Sequence, residues 1–246
     1  SLRANIENKI TDWFSVGVNA AFSGRDDSGL AGNIENAVTL SPYSQMYDKK
    51  GELILKVHGG GESMAQNPIF WSEKTDDLEK TQNITGNLYT QIDVPFVKGL
   101  SYRLNYSNTY NWYKHFVYSP SYMKEDEKVV AKGTKEYSEN YNWLVENIVK
   151  YQKHFLDIHD IDITFLFSRD HYNNDYSKMD NSDFFSDILG YNKLELGKNP
   201  TVASSAKESN GLSYMGRINY RLMDRYLLTL LARRDGYSAF GKEKKW

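Results

Sequence analysis

Hydrophobic and polar residues alternate with a period of two over most of the chain, the pattern of strands whose successive side chains point to opposite faces. Between Trp13 and Ser23 the even positions are Phe14, Val16, Val18, Ala20 and Phe22, and the odd ones are Ser15, Gly17, Asn19 and Ala21. From Leu100 to Trp112 one face holds Leu100, Tyr102, Leu104, Tyr106, Tyr110 and Trp112, broken by Asn108. The other holds Ser101, Arg103, Asn105, Ser107, Thr109 and Asn111. Weaker alternation runs through Ile84–Ile92, Tyr141–Val149, Ile161–Phe167 and Leu212–Tyr220, with Leu144 and Ile148 blurring the second of these runs. The Tyr226–Asp235 segment is more uniformly apolar and leaves its register open. With the opening stretch from Leu2, the pattern predicts about eight strands of ~9–11 residues, the length that spans an outer membrane.

The connections between these strands alternate in length. Residues 8–12, 94–99, 151–159 and 222–225 are short links, whereas 24–83, 119–136 and 173–210 are long. A wall of up-and-down strands with tight turns on one side and extended loops on the other produces this order. A soluble sandwich gives no reason to gather every long loop at one end. Tyr and Trp suit a bilayer interface, and Trp13, Phe14, Tyr110 and Trp112 fall at the ends of apolar faces.

Composition narrows the classes. The 246 residues carry 30 Lys+Arg against 32 Asp+Glu, a net charge of −2, which argues against nucleic acid as a partner. Cysteine is absent, excluding disulfide scaffolds and thiolate metal sites. No apolar run approaches the ~18 residues of a membrane helix, which leaves a β-barrel open. Tyrosine is abundant, at 19 residues. The Ser1 start without a leader, and the Lys244-Lys245-Trp246 end without a cap or completed strand, suggest a stretch of a longer protein.

One stretch is more specific. Gly216-Arg217-Ile218-Asn219-Tyr220 leads through Asp224-Arg225-Tyr226-Leu227-Leu228-Thr229 to Arg233-Arg234-Asp235-Gly236-Tyr237-Ser238-Ala239-Phe240-Gly241. It resembles the strand–turn–strand signature of SusC/RagA-type TonB-dependent outer-membrane transporters, with Tyr237 in place of a Ser and Ala239 in place of a commonly basic residue. Lys98-Gly99-Leu100-Ser101-Tyr102-Arg103, the Ser41-Pro42-Tyr43 loop with its Asp48–Glu52 turn, and the His159-Asp160-Ile161 strand start are weaker echoes. The resemblance implies an all-β fold: an antiparallel transmembrane wall of about eight strands from a 22-stranded barrel. Residues 1–246 would then be a partial barrel domain without its plug. It further implies a bacterial outer-membrane location and import of an oligosaccharide or peptide. The implied partners are a SusD-type surface lipoprotein, outer-membrane lipid, and the TonB complex through an N-terminal region absent from this chain.

Several clusters carry residue types suited to chemistry. His58-Gly59-Gly60-Gly61 matches a lipase oxyanion tetrapeptide, but no G-x-S-x-G elbow accompanies it. His154, Asp157, His159, Asp160 and Asp162 could offer metal ligands, although a charged turn explains them equally. Asp175, Asp180, Asp183 and Asp187 could hold calcium in an outer loop, with no other cofactor expected. Asn181-Ser182-Asp183 ahead of Phe184–Leu189 reads more simply as a capped short helix. No pair of carboxylates stands out for glycoside hydrolysis, and no catalytic residue is assigned. Tyr43, Tyr47, Phe70, Trp71, Tyr118 and Tyr122 are candidate ligand-stacking aromatics of the loops. Arg103, Asn105, Asn111 and Arg217 are candidates to face the pore or plug. The competing reading is a soluble, secreted glycan-binding β-sandwich, in which Phe14, Val16, Val18, Leu104 and Tyr106 would be covered by protein.

Overall fold

In the computed structural model, residues 1–58, 66–124 and 127–239 are described. In chain order the elements are β1 (Leu2–Thr11), β2 (Phe14–Asp26), α1 (Ile34–Thr39), β3 (Gln45–Tyr47), β4 (Leu53–His58), α2 (Phe70–Lys74), β5 (Asp76–Asp93) and β6 (Leu100–Ser119). They continue with β7 (Tyr122–Lys124), β8 (Glu127–Val129), β9 (Lys132–Phe155), β10 (His159–Ser182), a 3-10 turn (Gly190–Leu196), β11 (Thr201–Leu222) and β12 (Tyr226–Tyr237).

Eight strands form one antiparallel sheet in the order β1-β2-β5-β6-β9-β10-β11-β12, each beside its predecessor in that series. The strands β3-β4 and β7-β8 make two small hairpins in the outer connections. No second layer packs on the large sheet among the described residues, so the sandwich expectation fails. Val18, Ile84, Leu88, Val149, Phe165, Ile218 and Leu230 remain exposed instead of meeting a facing sheet.

Register fixes the two faces. Directly paired residues share a side, so Ile6, Val18, Leu88, Tyr106 and Val145 lie in one row on the apolar face. That row lies four residues from the turn-side end of β2 at Phe14 but ten from that of β9 at Phe155. The difference is the stagger of a tilted, curving wall. The polar face holds small buried polar groups, among them Thr164, Ser168 and Ser213, each 8% exposed.

Turn chemistry holds the short connections. Gly99 sits at φ +86, where a Cβ would be strained and would overlap the Gln152 carbonyl oxygen. Gln152 N–H in turn donates to the Gly99 carbonyl at 2.8 Å. Leu156-Asp157 and Met223-Asp224 each place two consecutive residues at positive φ, the backbone that matches the twist of flanking strands. Met223 N–H donates to the Ile158 carbonyl at 2.7 Å, stitching one turn to the next.

Two expectations need correction. The five strands β5, β6, β9, β10 and β11 are far longer than a membrane span, reaching 24 residues in β9 and β10, so the long loops shrink to 27–75, 120–131 and 183–200. The segment 184–189 forms no helix: Asp183 has φ 59, and the short 3-10 turn begins at Gly190.

Candidate functional site

The polar face carries the first candidate site. Arg103, Asn105, Asn111 and Arg217 all lie on it. Arg103 Nε donates to Asn105 Oδ1 at 2.9 Å, and Asn105 Nδ2 donates to Glu146 Oε2 at 3.2 Å. The Arg103 guanidinium rests 4.2 Å above the centre of the Tyr89 ring, a cation–π contact. Gly17 makes that geometry possible, because a Cβ there would overlap the Tyr89 ring. Arg217 is exposed, opposite Thr164 and Leu231. Asn111 therefore belongs to a different group from the Arg103 cluster.

That group is a row of four asparagines. Asn83 pairs with Asn111, Asn111 with Asn140, and Asn140 with Asn174, on four adjacent strands. Asn174 Nδ2 donates to Asn140 Oδ1 at 2.7 Å and to Ser138 Oγ at 3.1 Å, while the Tyr172 hydroxyl donates to Asn140 Oδ1 at 3.0 Å. The Asn83 Oδ1 is buried with no hydrogen-bond partner among the described residues. Strand spacing sets the amides about 4.8 Å apart. Such a ladder offers alternating donors and acceptors to a polar ligand passing along the wall. Asn111 is the one member of this row that its own strand's alternation singles out. The other three share its row through register, which spacing along one strand does not reveal.

The outer loops form the second candidate. Phe70 is 1% exposed and Tyr118 3%, so both rings are packing groups without a free face. Phe70 stacks edge-on against Trp71 and Tyr122 at 5.0 and 4.9 Å, over buried Ile54, Leu55 and Val57. Asn67 locks this small core, its Nδ2 donating to the carbonyls of Met46 and Ile54 at 2.9 and 3.0 Å. Tyr43 is 90% and Tyr47 51% exposed, and Trp71 and Tyr122 are half-buried. A polar cleft of about 560 Å³ opens beside Tyr122, lined by Asp48, Lys50, Glu52, Lys74 and Ser121.

The acidic clusters do not assemble. Asp175 and Asp180 are strand residues of β10, the latter accepting from Thr134 Oγ1 at 2.6 Å. Asp183 pairs with Lys198 at 2.9 Å. Asp187 accepts from the Tyr118 hydroxyl at 2.7 Å and from Ser121 Oγ at 2.6 Å, joining two loops. Burial pushes the Asp187 carboxyl up, but the Ser121 and Tyr118 hydrogen bonds outweigh it and hold it below the ordinary carboxylate range. His154 and Asp160 meet at 2.6 Å on the polar face, with Arg221 bound to the same carboxylate at 2.7 Å. His159 lies on the apolar face, donor or acceptor to the Tyr220 hydroxyl at 2.7 Å. Among the described residues no three His, Asp or Glu side chains converge as metal ligands. Gly59, Gly60 and Gly61 of the lipase-like tetrapeptide lie outside the described residues.

Comparison with known proteins bears on this geometry. No family model matches the chain. TonB-dependent receptor P3 of Formosa agariphila is 26% identical over 259 residues, covering all of this chain and 25% of the receptor. TonB-dependent receptor SusC of Bacteroides thetaiotaomicron is 51% identical over 35 residues, 14% of this chain. The structure of the RagAB peptide transporter superposes on 99% of the chain and 28% of its own with a TM-score of 0.81, at 18% identity. In sequence the chain is similar to TonB-dependent receptors, SusC among them, and in fold to part of the RagAB transporter. It spans about a quarter of the length of the curated relatives that it matches end to end.

Within this wall the motif residues divide by face. Gly216 sits on the apolar face between Phe165 and Ala232 with open space above it. Asn219 Oδ1 accepts from Thr229 Oγ1 at 3.0 Å across the β11–β12 hairpin. Arg233 Nε grips both oxygens of Asp235 at 2.9 Å, and Asp235 also accepts from the buried Ser213 hydroxyl. Gly236 pairs with Leu212 at the top of the hairpin. The SusC/RagA-type signature thus reads as hairpin register and inner-face hydrogen bonding. Phe240 and Gly241 lie outside the described residues.

Proposed function

We propose that this segment lies in a bacterial outer membrane as part of a TonB-dependent importer of an oligosaccharide or peptide. Hydrocarbon covers the apolar face, and the polar face lines the lumen. The observation that carries this reading is a single unlayered sheet of eight strands, apolar and exposed on one side and polar on the other. The edges of β1 and β12 pair with further strands of the same barrel, consistent with a 22-stranded wall around a plug. Residues 1–246 are thus one part of the barrel domain.

The segment itself performs no catalysis. Its inner wall supplies shape and a polar lining, with Arg103 and Asn105 toward the plug and the asparagine row nearer the outer mouth. Exposed Tyr43 and Tyr47, with Trp71 and Tyr122 beside the polar cleft, meet cargo or a SusD-type lipoprotein lid. Work comes from TonB acting on a region outside this chain. RagAB is described as a peptide transporter, and SusC as a TonB-dependent receptor. The amide row accepts hydrogen bonds from either class of cargo.

The test is uptake by cells carrying the full-length gene. Deletion is expected to abolish growth on one oligosaccharide or peptide mixture, and loss of TonB to abolish it equally. Asn111→Leu with Asn140→Leu, at unchanged surface expression, is expected to slow uptake about tenfold through two lost ligand hydrogen bonds. Unimpaired uptake in the deletion strain on every oligosaccharide and peptide offered would overturn the reading.

A further inference from the structure

The apolar face carries a groove that the transport reading leaves unused. Phe22, Ile84, Trp112 and Tyr137 line a cavity of about 410 Å³, with Lys80 and Lys114 at its upper side. All six share the apolar face by register and lie in ascending rows. Phe22, Ile84 and Tyr110 pair across β2, β5 and β6; Gln82, Trp112 and Glu139 pair one step up; Lys80, Lys114 and Tyr137 pair the next step up.

Chemistry thus changes from apolar to cationic within three rows. Lys80 and Lys114 face each other on adjacent strands, an arrangement that repels unless an anion intervenes. Lys80 reaches Asp26 at 3.1 Å. Lys114 and Lys135 approach the Phe116 ring at 5.7 and 5.0 Å, and neither has a carboxylate partner among the described residues. Glu139, the nearest acid below, is engaged by the Tyr110 hydroxyl at 2.8 Å. Tyr110 stacks on Trp112 at 4.0 Å, closing the lower wall.

Height places this groove at a boundary. From Leu100 to Trp112 a strand rises about 40 Å along its own axis, or about 30 Å along the membrane normal at a tilt of ~40°. That is about 5 Å above the top of an apolar band about 25 Å tall, at the height of the headgroups. We propose that the groove binds a phosphate-bearing lipid of the outer leaflet. Its acyl chain lies against Phe22, Ile84 and Trp112, and its phosphate lies between Lys80 and Lys114 with Lys135 above. The inference rests on the membrane reading, since a lipid must reach this face.

Native mass spectrometry of the full-length transporter in detergent tests it, titrating dioleoyl phosphatidic acid against dioleoylglycerol, which has the same chains and no phosphate. The unaltered protein is expected to retain one phosphatidic acid about tenfold over the neutral lipid. Lys80→Gln with Lys114→Gln and Lys135→Gln should erase that preference, while Lys49→Gln with Lys193→Gln and Lys207→Gln keeps it. Trp112→Ala should weaken retention of both lipids, and millimolar glycerol 3-phosphate should displace neither. Equal retention by the groove triple variant, or displacement by glycerol 3-phosphate, would overturn the lipid site. Failure of the membrane reading would look different: the unaltered protein would retain neither lipid and would stay dispersed without detergent.

Discussion

At the scale of single residues, the wall depends on a few positions where backbone or hydrogen-bond geometry leaves little choice. Gly99 combines a left-handed φ with a neighbour's carbonyl in the space of its missing Cβ. Gly99→Ala is expected to destabilise the full-length protein by about 2–3 kcal/mol, from strain and from displacement of the Gln152 strand end. Urea-induced unfolding followed by tryptophan fluorescence measures it. Asp187 is a second such position, because its carboxylate holds Tyr118 and Ser121 together. Its depressed pKa means the clasp contributes fully above the unfolded carboxylate value, near pH 4, and is lost as pH falls through the folded value. Proteolysis within residues 183–200 is therefore expected to be slow at neutral pH and to accelerate below about pH 4. Asp187→Ala should accelerate it about five- to tenfold already at pH 7.

At the scale of elements, alternation is what the sequence displays most directly, and register is what it hides. The Phe14–Phe22 and Leu100–Trp112 faces are legible because small or polar residues separate the apolar ones in every step. Leu144 and Ile148 blur the alternation of β9 for a physical reason: they lie on the polar face, opposite Ser107 and Arg103, and that face is not uniformly hydrophilic. Alternation does not mark the strand ends, because the upper halves of β9, β10 and β11 are polar on both faces, as at Asn173–Lys178 and Ser204–Asn210, so periodicity fades while pairing continues. Phe70 and Tyr118 are indistinguishable in sequence from ligand aromatics, because burial inside a loop leaves no periodic trace. The two faces of one hairpin should respond oppositely to charge. Ile218→Arg, on the apolar face, is expected to cost about 2–4 kcal/mol at mid-bilayer, whereas Met215→Arg, opposite Leu166 and Arg233 on the polar face, should cost less than half of that. Reversible unfolding from lipid vesicles compares the two.

At the scale of the whole molecule, the medium that covers each face decides what the sheet can do. A wall one sheet thick leaves Leu88, Val149 and Ile218 without protein neighbours above them, while Asn105, Asn111 and Arg217 look the other way. Site-directed spin labelling of the full-length protein in lipid vesicles measures this contrast at each of the six positions. Labels at 88, 149 and 218 are expected to be relaxed strongly by oxygen, which concentrates in hydrocarbon, and weakly by a water-soluble nickel chelate. Labels at 105, 111 and 217 should show low oxygen accessibility. If positions 88, 149 and 218 were instead shielded from both reagents, protein and not lipid would lie over them, and the barrel-wall account would be wrong.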